Sequence, residues 1–247
     1  MFTLGVILAR AGSLGLRNKH LLNLLGRPLI QYTFDRVGEA QRLSQVIVSS
    51  DCPRILALAN ENGFATLLRP PELATNDASV QDVLLHAMDA VELSHRVGIS
   101  AVVTLYGNVP IRRAGVIDEA IELLERTGCD SARSFCPVGK WHPAWMGRIE
   151  GDRVIAHRPG SIHRRQDLEP LFLHDGAVVV SSRKAMEAGR ECRGDPHAFF
   201  GLDRRAVLTQ NTDTVEVDTH RDLLLAEAIL REESMEFVNP HREARVA

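Results

Sequence analysis

Apolar and polar positions along this chain follow two periodicities, one typical of buried strands and one of amphipathic helices. The first kind is short, continuous and rich in β-branched residues, which is the pattern of strands covered on both faces. The strands predicted in this way cover residues 4–9, 45–50, 100–105, 130–135, 176–181 and 214–217. The second kind predicts helices over residues 28–41, 79–93, 114–127 and 221–231. Because strand and helix alternate through most of the chain, the pattern predicts an α/β fold with a doubly wound parallel sheet.

Polar residues and a glycine mark the ends of three of these helices. Ser79 and Asp82 resemble a capping box at the start of one helix, and Thr219 and Asp222 repeat that spacing before the last one. Gly128 is placed to end a third helix, because glycine readily takes the left-handed conformation found there. These signals support the helical assignments independently of the apolar pattern.

The alternation stops after Val138, where the segment KWHPAWMGRIEGDRVIAHRP carries both tryptophans of the chain. Two short β-like runs on either side of Glu-Gly-Asp predict a hairpin rather than another strand-helix unit. Trp141 and Trp145 have two interpretations. On a projecting hairpin they would form a surface for a partner, and folded back they would cover the core of their own chain.

Composition is that of one globular domain over residues 1–247, with 45% hydrophobic and 25% charged residues. The net charge of −3 gives no support for nucleic-acid binding. No apolar run approaches the roughly 20 residues that cross a bilayer, and the N-terminal residues are strand-like rather than a signal peptide. The four cysteines form no C-x-x-C pair and the ten histidines no H-x-x-x-H pair. We therefore expect reduced thiols, no zinc site and a cytoplasmic location.

A glycine turn with cations follows the first predicted strand, in the segment GVILARAGSLGLRNK. Gly12 and Gly15 let the backbone approach an anion closely, and Ser13 adds a hydroxyl group. Arg10 and Lys19 add positive charge suited to a triphosphate. The segment matches neither the phosphate loop nor the dinucleotide fingerprint. A strand-to-helix turn with solvated basic residues is the alternative.

Two acids occur near the end of the last predicted strand. Glu216 and Asp218 alternate with Val215 and Val217, so on a strand both carboxylates point to one face while the valines enter the core. Two adjacent carboxylates repel each other unless a cation holds them, and a hard divalent ion would do so. The alternative is a pair of solvated acids at a sheet edge.

Seven ordered blocks of this sequence resemble the CMP-acylneuraminate synthetases (acylneuraminate cytidylyltransferases). They are LARAGSLGLRNKHLLNLLGRPLIQYT at the start, then VIVSSD, LRPPELATNDAS, VTLYGNVPIR, RRQDLEP, DGAVVV and DTVEVDTHRDLLLAE. The resemblance implies a three-layer, mostly parallel nucleotidyltransferase sheet. It also implies a homodimer, with a dimerisation insertion at about 138–172 that reaches the neighbouring active site. The implied reaction is attack by the anomeric hydroxyl of a keto sugar acid on the α-phosphorus of CTP, with release of pyrophosphate.

The resemblance also implies roles for individual residues. Around the nucleotide it places Ala9, Arg10, Gly12, Ser13, Lys19, Arg69 and Ser79. Around the sugar it places Tyr106, Asn108, Arg165, Gln166 and Asp175. Asp218, together with Glu216, would bind Mg²⁺. Arg10, Lys19 and Asp218 would carry the catalysis.

Five positions depart from the family pattern. Tyr106 stands where glutamine is usual, Asp175 replaces an asparagine, Leu14 a lysine, His20 an asparagine and Glu216 an aspartate. These changes count against N-acetylneuraminate itself as the substrate. They favour a related nonulosonate, such as a pseudaminic, legionaminic or deaminated neuraminic acid.

Three functions stay open at this point. The first is a cytidylyltransferase for a nine-carbon keto acid. The second is the same reaction with another acceptor, such as 3-deoxy-manno-octulosonate, against which the RRQ and DGA blocks argue. The third is a catalytically silent nucleotide-binding protein, which the departures at Leu14 and Glu216 would explain.

Overall fold

A central sheet of seven strands dominates the computed structural model, which describes residues 1–12, 15–158, 160, 164–192 and 194–238, with side chains as far as 234. The strands are β1 (Thr3–Leu8), β2 (Asn23–Leu24), β3 (Arg27–Pro28), β4 (Gln45–Ser50), β5 (Ala65–Leu68), β6 (Ala101–Tyr106), β7 (Ile111–Arg112), β8 (Ser131–Pro137), β9 (Gly147–Glu150), β10 (Arg153–Ala156), β11 (Phe172–Ser182), β12 (Arg204–Leu208) and β13 (Thr214–Val215). The α-helices are α1 (Leu29–Gly38), α2 (Pro53–Glu61), α3 (Val80–His95), α4 (Val116–Thr127), α5 (Arg183–Glu191) and α6 (His220–Val238).

The strands of the central sheet follow the order β12-β8-β11-β6-β1-β4-β5. Strand β11 runs antiparallel to both of its neighbours, and the other pairings are parallel. The predicted doubly wound, mostly parallel α/β sheet is therefore confirmed. Because β1, β4 and β6 are mutually parallel, their carboxyl ends and the loops that follow them lie at one edge of the sheet.

Helices cover both faces of this sheet. Helices α1, α2 and α4 pack on one face through side chains such as Phe34 and Ile121. Helices α3 and α5 pack on the other through residues such as Leu84 and Met186. The apolar stripes of the predicted helices face the sheet, which gives the three layers. Helix α6 packs outside them, in a small cluster that includes Val217.

Most elements predicted from periodicity are present. Strand β4 has the predicted bounds, 45–50, and the capping predictions hold in detail. The Ser79 hydroxyl accepts a hydrogen bond from the Asp82 backbone N at 3.0 Å, and Gly128 ends α4 with φ 65°. The predicted hairpin forms from β9 and β10, with Gly151 at φ 67° in its turn.

One prediction was wrong in part. The strand expected over residues 214–217 ends at Val215 and pairs with β7, outside the central sheet. Glu216 and Asp218 therefore follow a short strand instead of lying on one. Their alternation is kept, because Val215 and Val217 are both buried while the two acids are exposed. The pattern did not predict α2, β5, α5 or β12.

The segment between β8 and β11 projects from the sheet. The side chains of Trp141 and Trp145 are 65% and 41% exposed, so neither belongs to the buried core. The last residues, NPHREARVA at 239–247, are predicted from their sequence to form a loose tail, and they lie outside the described residues. Among the helices in the described part of the chain, none has the length and apolar character needed to cross a bilayer.

Candidate active site

A cavity of about 260 Å³ opens where the carboxyl ends of β1 and β6 meet. Ligands of doubly wound sheets bind at this edge, because the loops after the strands leave a crevice there. Leu8 and Tyr106 end the two strands, are paired in the sheet and line the cavity. The charged and polar side chains in its wall include Arg10, Lys19, His20, Arg69, Asn108 and Glu216.

The basic glycine turn forms one side of the cavity. Arg10 lies in the wall and donates a hydrogen bond from Nη1 to Asn76 Oδ1 at 2.7 Å. The next backbone N–H, of Ala11, donates to Asp51 Oδ1 at 2.7 Å and ties the turn to the loop after β4. A β-carbon built on Gly12 would meet no atom within 4 Å, so the backbone here is open to a ligand.

The basic turn and the acidic segment are in direct contact. Lys19 Nζ lies 2.6 Å from Asp218 Oδ1. A β-carbon on Gly15 would overlap the backbone carbonyl oxygen of Asp218, so this close approach requires glycine. The sequence therefore folds with its first turn and its last acidic pair at one site. Ser13 and Leu14 lie outside the described residues.

Asn108 joins the two acids to the loop after β6. Its side-chain Nδ2 lies 3.1 Å from Glu216 Oε1 and 3.3 Å from Asp218 Oδ1. Its backbone carbonyl accepts a hydrogen bond from Val217 N at 2.8 Å. The side-chain amide of Asn108 thus lies between the two carboxylates, and its backbone carbonyl fixes the segment that carries them. Asn108 was predicted to contact the sugar, and its position in the cavity wall is compatible with that prediction.

Arg69 is a buried cation behind the basic turn. Its guanidinium donates from Nε to Ser49 Oγ at 3.2 Å and from Nη2 to the Ser49 carbonyl at 2.9 Å. The same carbonyl accepts a bond from the Ala9 N–H at 3.1 Å, so Ala9 and Arg69 share one anchor. Burial lowers the pKa of Arg69 to about 10, although the charge of Asp51 opposes that shift. Arg69 therefore keeps its positive charge at neutral pH.

Ser79 lies at the start of α3, next to the cavity. Its hydroxyl caps the helix through Asp82 N and donates a second bond to Asp82 Oδ2 at 2.8 Å. Ala78 and Val80, on either side of it, line the cavity. The predicted contact of Ser79 with the nucleotide stays a prediction, because the hydroxyl already has two partners within the helix start.

His20 is a cavity residue whose role the sequence did not predict. It is 3% exposed, and its Nδ1 has no hydrogen-bond partner among the described residues. Burial lowers the pKa of His20 to about 4, with further lowering by the charges of Lys19, Arg69 and Arg10. The imidazole is therefore neutral at physiological pH and presents hydrogen-bonding capacity without charge. The signals in the sequence were its place after Lys19 and its departure from the asparagine that is usual in the family.

Tyr106 lies in the cavity wall, near Glu216. Burial, together with the charge of Glu216, raises the pKa of its phenol to about 12, while the charge of Arg133 opposes this shift. Tyr106 is therefore protonated in the physiological range, and its hydroxyl is a hydrogen-bond donor. A neutral donor at this position is suited to a sugar hydroxyl or carboxylate.

Asp175 is held within the protein. Its carboxylate accepts hydrogen bonds from Ser134 Oγ, the Ala177 N–H, Thr209 Oγ1 and Thr214 Oγ1. These bonds hold the pKa of Asp175 below its ordinary value even though burial acts the other way. Between His174 and Val179 the pairing of β11 with β8 shifts register, which forms a bulge in β11. With four donors within the chain, the carboxylate is placed to organise this β11 bulge rather than to bind the sugar. A direct sugar contact stays a prediction that the geometry does not favour.

Arg112 is a second residue that the sequence did not single out. It is fully buried, and it donates from Nε to the Ala177 carbonyl at 2.7 Å and from Nη2 to the Tyr106 carbonyl at 3.2 Å. Burial lowers the pKa of Arg112, and the negative charge of Asp175 opposes that lowering. Arg112 therefore joins the end of β6 to the β11 bulge, and so positions Tyr106.

The structure does not bring Arg165 and Gln166 into the cavity wall. They lie in a short 3₁₀ turn, Arg165–Asp167, on the projecting segment. The guanidinium of Arg165 lies near Gly139, where its Nη2 would be 3.3 Å from a β-carbon on that glycine. Within one chain these two residues are separate from the other predicted sugar contacts, and their role depends on the partner subunit that the resemblance implies.

The acids at the cavity fit a hard divalent cation. Glu216 and Asp218 each place a carboxylate oxygen within 3.3 Å of the same Asn108 nitrogen, so the two carboxylates lie close together. Oxygen donors are what Mg²⁺ prefers, and it is usually held by one or two carboxylates together with phosphate oxygens and water. The described residues contain no group of three or more acids, histidines or cysteines that could hold a metal without a substrate. The two carboxylates are therefore donors of the kind that Mg²⁺ prefers.

The sequence has clear relatives among known proteins. Residues 4–191 match the cytidylyltransferase family. The N-acylneuraminate cytidylyltransferase of Streptococcus agalactiae serotype V is 28% identical over 223 residues, covering 89% of this chain and 51% of that protein. The CMP-N,N'-diacetyllegionaminic acid synthase of Legionella pneumophila is 25% identical over 237 residues, covering 93% of this chain and 97% of that protein. This chain spans about half the length of the streptococcal relative.

Solved structures resemble the fold. A CMP:2-keto-3-deoxy-manno-octonic acid synthetase complexed with CTP has a TM-score of 0.72 at 19% identity, covering 94% of this chain and 100% of that one. A 4-diphosphocytidyl-2C-methyl-D-erythritol synthase from Anaerococcus prevotii has a TM-score of 0.63 at 14% identity, covering 93% and 98%. At these identities the likeness is one of fold. The sequence match, however, runs from the first strand through the basic turn and central strands to α5, and on that ground the chain belongs to the cytidylyltransferase family.

Proposed function

We propose that this protein transfers CMP from CTP to the anomeric hydroxyl of a nonulosonic keto sugar acid and releases pyrophosphate. The observation that carries the proposal is the contact between the basic turn and the acidic pair, with Lys19 Nζ 2.6 Å from Asp218 Oδ1 at the edge of one cavity. A site with fixed cations on one side and carboxylates on the other is suited to a metal-complexed triphosphate. Family membership supports CTP as the nucleotide.

In the proposed step, the anomeric hydroxyl oxygen forms a bond to the α-phosphorus of CTP. The bond from that phosphorus to the oxygen bridging to the β-phosphorus breaks, so the products are the CMP-sugar, pyrophosphate and one proton. Such a step depends on positioning and on neutralising charge more than on covalent chemistry of the protein. Arg10 and Lys19 neutralise the negative charge that develops on the leaving pyrophosphate.

Asp218 and Glu216 would hold Mg²⁺, and Asn108 would keep their side chains together. When bound, such an ion neutralises phosphate oxygens and lowers the pKa of the attacking hydroxyl. Of the two acids, Asp218 is proposed as the principal ligand, because Glu216 stands where the family has aspartate. On the acceptor side, Tyr106 donates a hydrogen bond, and Arg112 positions it through its backbone carbonyl.

The acceptor is proposed from the relatives and from the departures in sequence. Relatives named for N-acylneuraminate and for N,N'-diacetyllegionaminic acid favour a nine-carbon keto acid. The change to Tyr106 favours a nonulosonate other than N-acetylneuraminate. The octulosonate alternative has fold similarity to a CMP:2-keto-3-deoxy-manno-octonic acid synthetase as its support.

We also propose that the protein is a cytoplasmic homodimer. The hairpin of β9 and β10 presents Ile149 and Val154 to solvent, where they are 64% and 74% exposed. Trp141, Phe172 and Leu173 add exposed apolar area on the same segment. Exposed apolar area of this extent indicates a partner. A second copy would bring Arg165 and Gln166 to the neighbouring cavity, as the family resemblance implies.

Pyrophosphate release tests the proposed function. The purified protein is incubated with Mg²⁺, one nucleoside triphosphate and one keto acid, across CTP and UTP and across legionaminic, pseudaminic, N-acetylneuraminic and 3-deoxy-manno-octulosonic acids. We expect release with CTP and at least one nonulosonate. Pyrophosphate release with 3-deoxy-manno-octulosonate alone would favour a cytidylyltransferase for that acceptor. CTP binding without pyrophosphate release under any condition would favour a catalytically silent nucleotide-binding protein.

A further inference from the structure

Arg133 is a positive side chain on the same face of the sheet as Tyr106. In β8, Arg133 pairs with Val179 of β11, which in turn pairs with Thr104 of β6. Tyr106 lies two residues after Thr104, and residues two apart on a strand share a face. The two side chains therefore project from the same face of the sheet, with Tyr106 in the cavity wall and Arg133 two strands away from it. The charge of Arg133 lowers the pKa of the Tyr106 phenol against the effect of burial.

Two aromatic rings hold the Arg133 guanidinium. Its central carbon lies 4.2 Å from the centroid of the Phe200 ring and 5.0 Å from that of Phe135. A cation over two rings is attracted to both faces, which limits the positions that it samples. A guanidinium held in a fixed position is suited to binding an anion with a defined geometry.

The same guanidinium has no counter-charge among the described residues. It forms no ion pair or hydrogen bond there, and its Nε is buried without a partner. Burial lowers the pKa of Arg133, and the charge of Arg204 lowers it further. Arg204 also lies beside Phe200, at 5.8 Å, and its Nε donates to the Gly201 carbonyl. Two arginines lie close to one ring, and in the part of the chain that the structure describes neither is paired with an acid.

Other cations near the cavity are already engaged. Lys19 is paired with Asp218, and Arg10 donates to Asn76 on the nucleotide side. Arg112 is enclosed and donates to backbone carbonyls. Arg133 is therefore the described cation best placed to receive an anion on the acceptor side.

The acceptor in the proposed function carries such an anion. In the cyclic form of a 2-keto sugar acid the carboxylate is attached to the same carbon as the attacking hydroxyl, so in the proposed function it lies next to that hydroxyl, on the side of the cavity where Tyr106 is proposed to contact the sugar. We propose that Arg133, supported by Arg204, binds the carboxylate of the acceptor and sets the preference of the enzyme for keto acids. This inference rests on the proposed function. It assigns the charged contact with the sugar acid to Arg133, whereas the resemblance implies a sugar contact for Arg165.

The test compares the acid with its C1 amide, using the nonulosonate that the wild-type enzyme turns over fastest. In Arg133→Met, kcat/KM for the acid should fall by about 10- to 100-fold, the effect of a lost charged hydrogen bond. Turnover of the amide and the KM for CTP should stay as in the wild type. Arg133→Lys should keep part of the preference for the acid.

Two further variants make the result specific. Arg205→Met removes a neighbouring arginine of β12 that is paired with Asp203, and it should keep the wild-type ratio of acid to amide. Arg165→Met tests the competing assignment. The inference would be overturned if Arg133→Met kept the wild-type ratio of kcat/KM for the acid to that for the amide. It would also be overturned if Arg165→Met lost this ratio while Arg133→Met kept it. Either result would leave the proposed function intact.

Two other outcomes are also decisive. If Arg133→Met fails to fold, the ratio measured for Arg133→Lys and Arg133→Gln decides, since both keep a long polar side chain. If the wild-type enzyme turns over no keto acid, the proposed function fails, and the inference fails with it.

Discussion

Lys19 and Asp218 are separated by 199 residues in the chain, yet their side chains form an ion pair at the cavity edge. Asp218 is 57% exposed in this pair, so solvent screens the attraction and it contributes little to the stability of the fold. The importance of the ion pair lies in the positions that it gives to the two side chains. It places a cation and a carboxylate suited to a metal where a triphosphate would lie between them.

Replacing Lys19 with methionine should therefore remove activity without unfolding the protein. We expect kcat to fall by about 10²- to 10³-fold, the usual effect of losing a group that stabilises developing charge. Thermal unfolding should stay close to the wild-type midpoint. Lys184→Met is the matched control, because Lys184 of α5 forms a similar ion pair with Asp130. Near-normal turnover in Lys19→Met would contradict its role at the phosphates.

Gly15 should tolerate no side chain, whereas Gly12 should accept one. A β-carbon at Gly15 would overlap the Asp218 carbonyl, and one at Gly12 would meet nothing within 4 Å. We expect Gly15→Ala to lower the free energy of unfolding by about 1–3 kcal/mol, as overpacking does. Gly12→Ala should be nearly neutral. Equal stabilities for the two variants in urea titrations would mean that the turn and the acidic segment are not in contact.

The buried imidazole of His20 should make stability depend on pH. Its pKa is about 4 in the folded state, against an ordinary value of 6.5, so the unfolded chain takes up a proton more readily. The stabilisation from the neutral imidazole is complete above pH 6.5 and is lost as the pH falls toward 4. Between pH 7.5 and 5 the wild type should lose about 2 kcal/mol more than His20→Asn. Parallel losses in urea titrations of both proteins would contradict a buried neutral imidazole.

At the scale of elements, the apolar period predicted the strands and helices that face the core, and polar signals predicted their ends. Strand β4, the start of α3 and the end of α4 were predicted in this way. Helix α2 has only nine residues with Ile55 and Ala59 buried, and strand β12 has one buried residue among five, so each offered few apolar positions from which to predict it. The strand before Glu216 was predicted too long because the alternation of valine with acid continues after its last pairing at Val215.

A comparison of two helix caps can distinguish an effect on stability from an effect on nucleotide binding. Ser79 caps α3 beside the cavity, and Ser182 caps α5 away from the cavity wall by the same kind of bond, from Ala185 N at 3.2 Å. Each change to alanine should cost about 1 kcal/mol of unfolding free energy. Only Ser79→Ala should also raise the KM for CTP, if its hydroxyl contacts the cytidine. Equal values of this KM in both variants would assign Ser79 to capping alone.

At the scale of the whole molecule, one half of the candidate site could be predicted from the sequence better than the other. The side proposed to bind phosphate and metal depends on charged residues in ordered blocks, and the structure brings Arg10, Lys19, Glu216 and Asp218 together. The acceptor side depends on contacts that no local pattern reports. Asp175 is engaged by four donors within the chain, and the buried positions of His20 and Arg112 and the half-buried position of Arg133 follow from the tertiary fold rather than from spacing.

The projecting hairpin should be required for assembly. We expect light scattering on the purified protein to give the mass of a dimer. The double variant Ile149→Glu, Val154→Glu should be a monomer with greatly reduced turnover, because charges replace apolar area that a partner would bury. Leu93→Glu, at an exposed site on α3, should stay dimeric. A dimer that persists in the double variant would place the interface elsewhere.

Calorimetric titration of CTP into the wild-type protein, Lys19→Met and Asp218→Asn, with and without Mg²⁺, decides whether the basic turn and the acidic pair form one nucleotide site. We predict that Mg²⁺ tightens CTP binding to the wild type and that Asp218→Asn loses most of that effect. Lys19→Met should weaken binding in both conditions. CTP affinities that are the same for all three proteins would be incompatible with a single site built from these two segments.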